Sequence, residues 1–79
     1  MANEKMLSEQ RRDIILALAD NDMKISETAE QCYMSRTALS NNLIRIEEIT
    51  GKNPLNFYDL ISLVYWVKKE RCGGVVNDN

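Results

Sequence analysis

Apolar residues recur at helical spacing along this chain, and nowhere do apolar and polar residues alternate for long enough to suggest a strand. That periodicity restricts the chain to an all-α fold. The residues that break helices fall where helices would have to end, at Asp20-Asn21-Asp22, at Gly51 and at Pro54, the one proline among 79 residues. Four helices result.

Each predicted helix opens at a residue whose short polar side chain can accept a hydrogen bond from the free amides of the first turn. Ser8 caps the first, which runs to about Ala19 with Leu7, Ile14 and Leu18 on one stripe. Ser26 caps a short second helix over 27–33, with Ile25 just before the cap, Glu27 in the first turn, and Ala29 and Cys32 facing inward. Ser35 caps the third, from Arg36 to Thr50, whose inward stripe is Leu39, Leu43 and Ile46 and which Gly51 ends in a left-handed conformation. Asn56 caps the fourth, from about Phe57 to Arg71, with Phe57, Leu60, Ile61 and Val64 on its main stripe and Lys68, Lys69 and Arg71 at its C-terminal end. Residues 1–72 are expected to form a single domain, and 73–79, which open on Gly73-Gly74, a flexible tail.

Composition removes most kinds of chemistry. There is no histidine, and the two cysteines, Cys32 and Cys72, form no CxxC pair, so neither a metal site nor a histidine-assisted nucleophile is expected. No catalytic residues, metal or cofactor are assigned. The longest apolar run at the N-terminus, Ile14 to Ala19, is too short for a signal peptide or a membrane span, so a reduced, cytoplasmic protein is expected. Ten Lys plus Arg against twelve Asp plus Glu give a net charge of −2, so any binding to a polyanion must rest on local rather than bulk charge.

A short helix with a small residue, Ala29, at its centre, joined tightly to a longer helix with a Leu39/Leu43/Ile46 stripe, is the pattern of a helix-turn-helix over 25–51. Ala29 lets the two helices approach at a steep angle, and Leu39 fills that angle. Ile25-Ser26-Glu27-Thr28-Ala29, then Arg36, Leu39 and Leu43, then Arg45-Ile46-Glu47-Glu48-Ile49-Thr50-Gly51, resemble the C-terminal helix-turn-helix of PucR-type and sugar-diacid regulators, over roughly Ile25 to Lys69. The resemblance implies a small four-helix domain without a wing that binds promoter DNA, with the helix that begins at Arg36 as its recognition helix. In that family the domain usually ends a longer regulator with sensory modules. Here it is expected to stand alone, so no small-molecule effector is expected.

The reading head departs from the family. Ser35-Arg36-Thr37-Ala38-Leu39 replaces a common His-Arg-Asn-Thr-Leu, and Asn41-Asn42 replaces Tyr-Arg. At about 100° per residue, Thr37, Ser40, Asn41, Ile44 and Glu48 face outward. Asn41 can bond an adenine edge in two places, Ser40 and Thr37 can reach bases or phosphates, and Ala38 or Ile44 can meet a thymine methyl, although an outward isoleucine is better read as a packing contact. Arg36 and Arg45 are the expected phosphate or guanine contacts, and the amides at Ser35 and Ser26 are open to phosphate. Arg11, Arg12 and Lys24 add local basicity only if they share that face.

A chain this short buries only about 60% of the surface it exposes when unfolded, which favours pairing. Trp66 lies opposite the Phe57/Val64 stripe with Leu63 nearby, Leu16 points away from Ile14 and Leu18, and these three are the expected homodimer interface. The alternative cover for Trp66 is the segment from Met1 to Leu7. The competing functional class is a protein-interaction adaptor that keeps the scaffold, binds little or no DNA, and uses Ile44, Trp66 and the acidic surface.

Overall fold

The computed structural model describes residues 7–72, so the expected tail at 73–79 and all of the alternative Trp66 cover except Leu7 lie outside the described residues. These residues form four helices and no strand: α1 (Glu9–Asp20), α2 (Ile25–Gln31), α3 (Arg36–Thr50) and α4 (Phe57–Cys72). The Ser8 hydroxyl accepts from the Arg11 amide at 3.2 Å and the Ser35 hydroxyl from the Ala38 amide at 3.0 Å. The Asn56 carboxamide oxygen takes both the Tyr58 and the Asp59 amides at 3.1 Å. Three of the four helices therefore start where their capping chemistry requires. Gly51 closes α3 in the left-handed region at φ 77°.

The start of α2 differs from the expectation. Ile25 is already helical, Lys24 occupies the cap position without a side-chain bond, and Ser26 is an exposed residue of the first turn. The reason lies in the preceding turn. After Asn21, Asp22 and Met23 take φ values of 55° and 67°, and the Asp22 and Met23 amides bond back to Ala19 and Leu18. That Schellman closure of α1 aims the chain straight into α2, leaving no extended residue after Lys24 for Ser26 to follow.

The same closure ends α2. The Met34 amide bonds to the Ala29 carbonyl and the Tyr33 amide to that of Glu30, which puts Tyr33 at the left-handed position, φ 58°, that glycine commonly fills. Tyr33 is 96% exposed, so its ring offsets none of that backbone strain. We expect Tyr33→Gly to stabilise the fold by about 1 kcal/mol and to raise the melting temperature by roughly 4–8 °C in a circular-dichroism melt. A lowered melting temperature would refute the strain.

One buried cluster joins all four helices. It holds Leu7, Ile14, Ile15 and Leu18 with Ala29, with Leu39, Leu43 and Ile46, and with Leu60, Leu63 and Val67. The α1 helix lies at its centre, with its backbone against α4 on one side and against α2 and α3 on the other, while α2 and α3 pack on each other and α4 approaches neither. This explains why α1 buries Ile15 and Ala17 as well as the expected Ile14 and Leu18.

The stripe of α4 is rotated from the expected one. Leu60, Leu63 and Val67 face the core and Val64 packs at its edge, whereas Phe57 and Ile61 are 58% and 49% exposed. The expected dimer residues lie in or beside that core. Leu63 is enclosed in its own core, and Leu16 and Trp66 pack half-buried against it. Trp66 is covered from within the chain by Arg12, whose guanidinium carbon lies 5.2 Å from a ring centroid and whose Nε is buried without a hydrogen-bond partner.

Candidate nucleic-acid interface

The α2–α3 corner is built from small and branched side chains. Thr28 is fully buried and its hydroxyl donates back to the Lys24 carbonyl at 2.7 Å, which removes the cost of enclosing a polar group. Ala29 is buried next to it, and Leu39, with no exposed surface, shares its cluster. Met34 follows Tyr33 and packs at the edge of the same cluster. The α3 helix is thereby held with its Leu39/Leu43/Ile46 side inward and its opposite side in solvent.

Arg36, Thr37, Ser40, Asn41, Ile44, Arg45 and Glu48 are all exposed, and Ser35 is exposed at the helix start. The helical period sets Thr37, Asn41, Ile44 and Glu48 along the middle of this strip, with Arg36 and Ser40 towards one edge and Arg45 towards the other. The residues proposed from sequence thus lie together on one helix face. Ser35 differs from the rest because its hydroxyl already caps the helix, leaving its backbone and the first-turn amides to meet a ligand. Ile44 is 54% exposed and borders a small groove with Leu43, Leu55 and Asn53, so its nearest neighbours belong to the loop that leads to α4.

The basic side chains divide between two faces. Arg11 donates from Nε to the Asn42 carboxamide oxygen at 3.0 Å, which ties its guanidinium beside α3. Asn42 in turn donates to the Ala38 carbonyl at 2.9 Å, so it is a half-buried connector of α1 and α3 rather than a reader. The sequence held a trace of this role, because Asn42 lies towards the inward stripe while Asn41 does not. Arg12, one residue on from Arg11, turns away to Trp66. Arg36 reaches the Ser26 hydroxyl at 3.4 Å, and Arg45 pairs with Glu48 at 2.8 Å, both partners more than half exposed. Such an exposed pair is worth only about 0–1 kcal/mol, so Arg45 can exchange Glu48 for a phosphate at little cost.

Cys32 is a free, half-buried thiol on the core edge, and burial followed by the charge of Asp13 raises its pKa. It is therefore a poor nucleophile at neutral pH. Cys72 closes α4. Among the described residues, no group of acidic, cysteine or histidine side chains could hold a metal ion, and no helix is long and apolar enough to cross a membrane.

Searches of curated proteins and of solved structures return no significant match. A family model does match, over residues 12–66, and it spans the whole α2–α3 corner together with most of α1 and α4. The chain belongs to the family of PucR C-terminal helix-turn-helix domains.

Proposed function

We propose that this domain is a sequence-specific module of a transcription regulator, binding double-stranded DNA with α3 in the major groove and acting as a homodimer in the cytoplasm. The observation that carries the reading is the gathering of Arg36, Thr37, Ser40, Asn41 and Arg45 on the one solvent-facing strip of α3, in a helix-turn-helix of this family. Asn41 is suited to a bidentate bond with an adenine edge, and Thr37 and Ser40 to shorter-range base or phosphate contacts. Arg36 and Arg45 at the strip's edges, with Arg11 held next to α3, supply cations where the two DNA backbones would pass. The reading needs no catalysis, cofactor or small-molecule effector.

A net charge of −2 makes this a weak electrostatic binder, and that gives the test. With three or four phosphates neutralised per domain, log affinity should fall with log salt at a slope of about −3 to −4, and roughly twice that for a pair. Fluorescence anisotropy with pooled genomic fragments at two salt concentrations should show binding that is both salt-sensitive and sequence-dependent. Absence of such binding below about 10⁻⁵ M, within the range of ordinary non-specific affinity, would sink the proposal.

A further inference from the structure

The exposed apolar residues of the domain concentrate on α4. Phe57, Tyr58, Ile61 and Tyr65 are 58%, 78%, 49% and 67% exposed. The helical period puts Phe57, Ile61 and Tyr65 on one stripe with Tyr58 at its margin, turned away from the buried Leu60/Leu63/Val67 side. Beside this stripe, Ala19 of α1 and Met23 of the turn that follows it complete an open apolar groove of about 510 Å³. We infer that a second copy of the chain covers this face, α4 lying antiparallel against α4 about a two-fold axis near Ile61. The inference rests on the paired reading above and supplies its interface.

Three features select a second copy over another occupant. The stripe reads alike in both directions, with an aromatic residue four positions to either side of Ile61. A two-fold axis there sets Phe57 of each copy against Tyr65 of the other, and residues four apart are the ridges that interdigitate in the commonest helix packing. The groove's charged residues are one acid and one base, Asp22 and Lys68, so two copies meet without net repulsion, while DNA finds no excess of positive charge. The area also suffices. With a large aromatic side chain offering about 150–250 Å², the exposed fractions leave about 500 Å² per copy, or about 1,000 Å² for the pair, at the lower bound of specific interfaces.

Because α4 approaches α1 and not α3, this arrangement leaves the outer strip of α3 open in both copies. An interface at the low end of the size range fits weak, reversible pairing. Sedimentation equilibrium without DNA tests it. The wild-type chain should sediment as a monomer–dimer mixture between about 1 and 100 µM, and Ile61→Glu should weaken pairing at least tenfold while keeping the helical circular-dichroism signal. Tyr65→Lys, at a more exposed position, should do the same and decides the matter if Ile61→Glu fails to fold. A wild-type chain that remains monomeric at 500 µM, or a folded variant that pairs as well as wild type, would overturn the interface. Neither outcome bears on whether a single domain binds DNA, which the anisotropy measurement reads separately.

Discussion

Leu39→Ala is expected to remove about 2–5 kcal/mol of stability. Leu39 has no exposed surface and belongs to the cluster that holds Ala29, Leu43 and Ile46. Its removal opens a cavity where α2 and α3 meet, inside a cluster shared with α1. A domain of this size carries only about 4–12 kcal/mol in all, so the loss is a large share of the total. A circular-dichroism melt should show the midpoint falling by at least about 10 °C, and a chain near the lower end of that range should be largely unfolded at body temperature. A change under about 1 kcal/mol would mean that Leu39 does not fill the angle between the helices.

The second large effect concerns binding. Asn41→Ala and Arg36→Ala should each weaken DNA affinity by about 1–3 kcal/mol without altering helical content, since both side chains are exposed. The two losses should add, because Arg36 lies towards one edge of the strip and Asn41 along its middle, five positions on, and they share no partner. Their signatures differ. Loss of Asn41 should relax discrimination at one base pair, whereas loss of a phosphate contact at Arg36 should weaken all sequences alike and reduce the salt slope by about 1. Anisotropy titrations of both variants against a selected site and a scrambled one would separate these cases. Insensitivity of both variants would move the domain to the adaptor class.

Asn41 and Asn42 show what one position along a helix decides. The first lies in solvent, and the second joins Arg11 to the Ala38 carbonyl. Helical period alone distinguishes them, and for α3 it does so because the inward stripe is narrow. The same rule misleads on α4, which is apolar on almost every side. Spacing there fixes the angles between residues but not which direction meets the core, and Phe57 and Ile61 are exposed where Leu63 and Val67 are enclosed. Only the approach of α1 settles the choice. Caps were legible where an extended residue precedes a free first turn, as at Ser8, Ser35 and Asn56. Ser26 gave the same signal in sequence, but the left-handed residues Asp22 and Met23 had already turned the chain into the helix. The proposed DNA-contacting residues on α3 were visible as types and as a face, while the splitting of Arg11 from Arg12 was not, because it depends on which helices pack against α1.

That central place of α1 has an evolutionary consequence. The outer strip of α3 and the outer stripe of α4 share no residue, and the backbones of α3 and α4 make no close contact although both pack on α1. The proposed DNA-reading strip and the proposed pairing stripe can therefore drift independently: substitutions at Thr37, Ser40 or Asn41 leave Phe57, Ile61 and Tyr65 untouched, and the reverse holds. The buried residues of α1 enjoy no such freedom, since Ile14, Ile15 and Leu18 pack in the one core that seats both α3 and α4.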